Sequence, residues 1–430
     1  VRTSRVFSVK DFKRIKKQLL AWSRQFQEIA WLDSNEYDSK TGEYEAILAV
    51  EAFTAIKTDY VNAFDKLKEY QETTADWIFG YLSYDLKNDV ENLKSLNIDG
   101  LHFPDLYFFQ PQKLIFIKEN QIEFQYLRMV DDEINDDFND IQNFKIESTS
   151  HRSTLKVEAR ISKEEYLEKI RLMLDHIHRG DIYEANFCQE FYAENVAIDS
   201  FNIYQSLNEI STPPFAAYLK LENFNLISAS PERYLRKRGK ELLSQPIKGT
   251  ARRAANLEED RKIATELAED PKEQSENVMI VDLVRNDLSR IAKKGSVKVD
   301  ELCKVYTFKQ VHQLISSVTA EIADEIPPVE ALRTSFPMGS MTGAPKISAM
   351  KIIEKLEESK RGVYSGAVGY FTPEGDFDFN VVIRSILYNS ENKYLSFSVG
   401  GAITAKSNPE KEYEECLLKA KAMREVLTNL

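Results

Sequence analysis

Apolar and polar positions along the chain follow two rhythms. A helical spacing between Val9 and Ser23 predicts a first helix, and aromatic-rich runs such as WIFGYLSYDL (Trp77 to Leu86) and LYFFQ (Leu106 to Gln110) predict extended pieces after it. Further along, Ser162 with Glu165 has the form of a capping box. Tyr166, Ile170, Met173, Leu174 and Ile177 line one helical face, which Gly180 should terminate. YEANFCQEFYA, FAAYLKL and FNLISAS then alternate or stay β-rich, so strands and helices mix here as well. Between the two halves, DDEINDDFND (Asp131 to Asp140) and the weakly patterned stretch up to Glu158 predict a solvated connector. The chain therefore divides near residue 155, into an N-terminal α+β region (1–155) and a second mixed region (156–430). No fixed-period repeat or low-complexity tract is present, which sets solenoids and propellers aside.

Composition narrows the class. The 430 residues have room for two or three units at ~100–200 residues each. With 43% hydrophobic and 29% charged residues, this is the make-up of a folded globular protein rather than a disordered one. A net charge of −12, spread over the length, offers no basic face for a phosphate backbone or an anionic membrane. Nucleic acid is not an expected partner. No run of about 18 apolar residues occurs and Val1 to Lys10 lacks a long apolar segment, so neither a spanning helix nor a signal peptide is expected. Cys188, Cys303 and Cys416 suit neither a disulfide framework nor a zinc cluster, which fits a reducing, cytoplasmic setting.

Candidate chemistry concentrates in the second region. Glu273 and Glu276 lie three apart in a helix expected to start at Asp270-Pro271, and Glu412 and Glu415 repeat the spacing in one starting near Asn408-Pro409. Each pair sets two carboxylates side by side, and two such faces meeting would make an oxygen-rich Mg²⁺ site. Taken alone, the spacing marks a solvated helix face more often than a metal site. Glycine-rich segments, GSMTGAPK (Gly339 to Lys346), GVYSGAVGY (Gly362 to Tyr370) and Gly400-Gly401 in SVGGAIT, suit either anion-facing backbone N–H groups or plain turns. PIKGT (Pro246 to Thr250) holds Lys248, a surface charge unless enclosed, in which case desolvation favours the neutral amine and nucleophilic chemistry. His312 reads as a core histidine as readily as a catalyst.

Together these segments resemble the chorismate-utilising enzyme family. From Ile161 onward the chain carries GDIYEANFCQ, SASPERYL, PIKGTARR, ENVMIVDLVRNDLSRI, VHQLISSV, FPMGSMTGAPK, YSGAVGYF, VVIRS and GGAITAKSNPEKEYEECLLKA in the family's order. AWLDSN, Ala30 to Asn35, adds a thinner match where relatives carry a tryptophan pocket, which puts Ser34 near that place. The resemblance implies an anthranilate synthase component I-like α/β sandwich, with two largely antiparallel sheets and outer helices. It implies Mg²⁺ on Glu276 and Glu415, with Glu273 and Glu412 as companions. It implies substrate contacts at Tyr364, Arg384, Lys419 and the N–H groups of Gly400 and Gly401, with Thr250, His312 and Ser340 at other pocket positions.

Within the family, Lys248 points to the branch that aminates C4 of chorismate, because anthranilate synthases resemble PIKGT with alanine in the lysine's place. There the matching lysine is implicated in attack on C2, and a carboxyl matching Glu232 in protonating the departing C4 hydroxyl. The expected reaction converts chorismate and ammonia to 4-amino-4-deoxychorismate, towards 4-aminobenzoate and folate. No cysteine here resembles a glutaminase nucleophile, so a separate glutamine amidotransferase subunit is the implied ammonia source. Glu184 departs from the glutamine common in aminating relatives and from the lysine of the water-adding branch. The nearest rival is an anthranilate synthase; a non-catalytic chorismate-binding subunit is the alternative from another class.

Overall fold

The computed structural model describes residues 1–37, 44–146, 155–309 and 311–428. The strand ladders among them are antiparallel and branch at two long strands, Ala46–Thr58 and Leu106–Lys118. Both strands bend where Ala52 faces Pro111: the register shifts between Ala52 and Thr54, Glu51 takes a φ of 61°, and the proline supplies no N–H to the ladder. Beyond this bend one sheet runs from Ile78–Leu82 through Ala367–Phe371, Phe377–Val381, Arg233–Arg238 and Glu241–Gln245 to Val311–Glu321. The other runs from Ala46–Thr58 through Glu28–Asp33, Phe215–Leu221, Phe224–Ser230, Ser385–Asn389 and Tyr394–Thr404 to Glu184–Ala193. The expected α+β sandwich is what the chain forms. Residues before and after position 155 share both sheets, so the division near 155 is one of sequence and not of the ladders.

Strand alternation gives each sheet two apolar faces. Ala30, Ile47 and Ala49 belong to an inner core with Phe79, Phe108, Leu219, Leu235 and Phe379, between the sheets. Their neighbours Ile29, Trp31 and Leu48 face an outer core with Leu19, Ile170, Tyr204, Ile353 and Met423 from the covering helices. At ~1.5–3 kcal/mol per fully buried large apolar side chain, these two layers supply the main driving force.

Local signals read from the sequence act as expected at several helix ends. The first helix is Phe12–Trp22, capped by Asp11. Ser162 and Glu165 form the reciprocal capping box of Lys163–His178, which buries Tyr166, Ile170, Met173 and Ile177 and leaves Leu174 half-buried. Gly180, at φ 84°, closes it as a Schellman turn, with Asp181 N–H donating to the His176 carbonyl and Gly180 N–H to that of Ile177.

The solvated connector is corrected in part. Ile134–Asn143 is a helix, because Ile134, Phe138 and Ile141 put apolar groups on one face of an otherwise acidic run. Ile134 and Ile141 are buried, and Asp137 and Glu133 pair with the buried Lys113. The rest of that polar stretch, from 147 to 154, lies outside the described residues. Among the described residues no helix is long and apolar enough to cross a membrane.

Candidate active site

Two helices and three strands bring the two acidic pairs, Lys248 and the Gly400-Gly401 backbone together. Pro271–Ser289 starts at Asp270, whose side chain accepts from the N–H groups of Lys272 and Glu273, so Glu273 and Glu276 occupy its first turns. Asn408 does the same for Pro409–Thr428, accepting from Lys411 N–H and setting Glu412 and Glu415 on the face that continues to Lys419.

Gly400 and Gly401 are mid-strand, opposite Cys188 and Phe187, so the turn-only reading does not hold for them. A Cβ on Gly400 would lie 2.4 Å from the Phe187 carbonyl oxygen: this glycine permits close strand packing. A Cβ on Gly401 would stand 3.6 Å from both Glu412 Oε2 and Lys419 Nζ and 3.8 Å from Glu415 Oε1, so this backbone faces the acidic pair directly. Lys419 Nζ donates to the Gly400 carbonyl at 2.9 Å and pairs with Glu415 at 2.8 Å. Across the cleft, a Cβ on Gly249 would meet Glu273 Oε2 at 3.1 Å, which ties the PIKGT segment to the first acidic pair.

The carboxylates are short of positive charge. Burial raises Glu276 to about 7 against the pull of Lys248 and Lys272, and burial also raises Glu273 and Glu412. Burial, the largest single cause, works in the same sense on Glu415, but Lys419 with Lys272 and Lys248 together outweigh it and the net direction is down. Among the described residues Glu276 Oε1 is buried without a hydrogen-bond partner, and Lys272 Nζ stands 3.8 Å from it. Among the described residues, no three carboxylate, imidazole or thiol groups are spaced to hold an ion by themselves. Two carboxylates backed by two more, with an orphaned oxygen, fit a hard cation that keeps open positions for water or a substrate's oxygens.

Lys248, on the strand Ile247–Arg252, is enclosed: its side chain is 14% exposed and its Nζ lies 3.3 Å from Glu184 Oε1. Burial alone would lower its pKa, but Glu184, then Glu276 and Glu232, outweigh burial and hold the ammonium above its ordinary value. Enclosure thus does not by itself free the amine, contrary to the expectation from desolvation. Glu232, in the SPER link between two strands, is 5% exposed. Burial raises it to about 7, opposed by a hydrogen bond from Ser340 and by the charge of Lys248. It is a carboxyl that can hold a proton near neutrality.

Arg384 takes a φ of 50°, and burial alone lowers its pKa, with no carboxylate opposing it. Among the described residues its guanidinium has no ion-pair partner, which leaves its planar fork for an outside carboxylate.

Other positions are less open. Tyr364 is 4% exposed, with its hydroxyl 3.6 Å from Cys188 Sγ, beneath the Gly400 strand. Both ring nitrogens of His312 are engaged, Nε2 with Asp260 and Nδ1 with Thr307, each at 3.0 Å, so as found it is a held histidine. Thr250 is exposed, and its hydroxyl accepts from Gln313 at 3.4 Å. Ser34 donates to the Glu45 carbonyl at 3.1 Å. The sequence reading missed Lys272, whose charge acts on all four glutamates of the two acidic pairs; its place beside Glu273 at a helix start was the available signal.

The chorismate binding enzyme family model matches residues 21–425, and the chain belongs to that family. It is 33% identical over 361 residues to the aminodeoxychorismate synthase component 1 of Bacillus subtilis, covering 81% of this chain and 76% of that one. It is 35% identical over 357 residues to the anthranilate synthase component 1 of Thermus thermophilus, covering 80% and 76%. A rice protein, probable aminodeoxychorismate synthase, is 40% identical over 289 residues, covering 66% of this chain but 32% of its own length. Anthranilate synthase component I from Streptococcus pneumoniae superposes with a TM-score of 0.80 at 26% identity, over 90% of this chain and 93% of that one.

Proposed function

We propose that this chain aminates chorismate, acting as component 1 of an aminodeoxychorismate synthase. The observation that carries the reading is Lys248, an enclosed amine flanked by Glu184 and by a carboxyl, Glu232, with a pKa of about 7. In the proposed reaction the Lys248 amine bonds to C2 of the ring while the C4 hydroxyl leaves with the proton of Glu232. Ammonia then bonds to C4 and Lys248 departs, giving 4-amino-4-deoxychorismate on the way to 4-aminobenzoate and folate. Each displacement shifts one allylic double bond, so the ring recovers its original pattern. Arg384 and the backbone at Gly400-Gly401 hold the substrate's carboxylates, with Lys419 beside them. Tyr364 lies behind this wall; Thr250, His312 and Ser340 are the remaining proposed pocket positions, of which Ser340 also steadies Glu232. Mg²⁺ on Glu276 and Glu415, with Glu273 and Glu412 behind, would neutralise the ring carboxylate. A glutamine amidotransferase subunit is the proposed source of ammonia.

The likeness to the Thermus enzyme favours one rival, anthranilate formation by amination at C2 with loss of pyruvate. Chorismate with Mg²⁺ and an ammonium salt near neutral pH, followed by product separation and mass analysis, tells the two apart. Accumulation of 4-amino-4-deoxychorismate without pyruvate, abolished in Lys248→Ala, supports the proposal; anthranilate with pyruvate refutes it.

A further inference from the structure

Glu184 is the acid whose place in this site the family pattern leaves unexplained. It opens the strand Glu184–Ala193, held in register by Thr404 on one side and Ala344 on the other, and is 2% exposed. One carboxylate oxygen lies 3.3 Å from Lys248 Nζ. The other is buried and, among the described residues, has no hydrogen-bond partner. A structural ion pair in such a place needs its remaining lone pairs satisfied, because a bare buried carboxylate oxygen costs more than the pairing returns. Such an oxygen, beside a lysine at 3.3 Å, is free to take a proton or a bound water.

Lys248 supplies the chemical need. It attacks only as a free amine, yet three carboxylates face it, Glu184, Glu276 and Glu232, and together they keep it protonated. Of these only Glu184 is within ion-pair distance. Glu232 is committed to giving a proton to the leaving hydroxyl, and Glu276 belongs to the acidic pair assigned to the metal. We infer that Glu184 is the general base that takes the proton from the Lys248 ammonium and returns it when the lysine leaves.

This rests on Lys248 being the nucleophile, and the step balances. The proton passes from Nζ to Glu184. The nitrogen lone pair then forms the bond to C2, the C4–O bond breaks, and the Glu232 proton makes the leaving group water. Ammonia bonds to C4 as the C2–N bond breaks, with its electron pair returning to Lys248. The surplus proton on the new C4 nitrogen goes to the Glu232 carboxylate, and Glu184 hands its own back to the lysine.

A structural role and a base role move opposite ways in Glu184→Gln. Removing the nearest negative charge makes Lys248 easier to deprotonate, so a pure charge partner would leave turnover at neutral pH unchanged or raised. Loss of a base lowers it by about 100-fold or more. The experiment compares the intact chain with Glu184→Gln and Glu184→Asp in two measurements. One is kcat and KM for chorismate with Mg²⁺ and ammonium chloride. The other is the rate at which an amine-reactive reagent labels Lys248 in the enzyme alone, read by peptide mass spectrometry. Expected are a loss in kcat with little change in KM, faster labelling of Lys248 in Glu184→Gln, and partial recovery of kcat in Glu184→Asp. Wild-type turnover in Glu184→Gln overturns the inference, as does a loss of kcat in which labelling does not quicken and Asp does not rescue. Full activity in Lys248→Ala would instead remove the nucleophile reading on which it rests.

Discussion

Glu232→Gln separates the chemistry of this carboxyl from the cost of burying it. The substitution keeps shape and volume and removes only the titratable proton. Burial raises the carboxyl from 4.5 to about 7. The folded chain therefore binds this proton more tightly than the unfolded chain does. Glu232 contributes its stability in full below pH 4.5 and loses it as pH rises through about 7. At about 1.36 kcal/mol per pH unit, the wild-type chain should lose about 2–3 kcal/mol relative to Glu232→Gln between pH 5 and pH 8. Titrating groups that do not interact with Glu232 cancel in that difference. The variant should also lose the general acid, worth about 100- to 10,000-fold in turnover. In the wild type, kcat/KM should fall as pH rises through about 7 and the proton is lost. Urea unfolding of both proteins at the two pH values, with chorismate turnover alongside, checks both claims. Parallel loss of stability in the two proteins would show that Glu232 is not a buried neutral carboxyl, and retained turnover would remove it from the reaction.

Three further outcomes follow from the same geometry. Arg384→Met should stabilise the substrate-free chain to urea, since a half-buried guanidinium with no ion-pair partner among the described residues is removed, while KM for chorismate rises by about 10- to 150-fold from the loss of a charge-assisted contact. Gly400→Ala and Gly401→Ala should part company: the first forces a Cβ to 2.4 Å from the Phe187 carbonyl and should reduce the yield of folded protein, whereas the second has 3.6 Å of clearance and should fold normally but lose chorismate affinity. Titration with Mn²⁺ should find binding lost in Glu276→Gln and Glu415→Gln and weakened about 10- to 100-fold in Glu412→Gln, with chelation abolishing turnover in the wild type.

Much of this site was legible because its parts are local. A helix start needs only Asp270-Pro271 or Asn408-Pro409, and three-residue spacing then fixes the face that carries the glutamates. What the chain could not disclose is the set of distances between segments. That Lys248 meets Glu184 depends on two strands 64 positions apart in sequence ending at the same cleft, and nothing in PIKGT or YEAN encodes their approach. The state of the lysine depends on this too. Enclosure read alone predicts a neutral amine, yet three carboxylates reverse the sign. The same holds for Gly400 and Gly401, adjacent in sequence and alike in pattern, where one meets a neighbouring strand and the other faces the acidic pair. Helical acid in the connector went unread for a related reason: Ile134, Phe138 and Ile141 become a face only when the first helix is there to cover them. The cleft is thus assembled from segments that each declare their own conformation, while its electrostatics arise from which of them meet, and a proton on Lys248 is decided there.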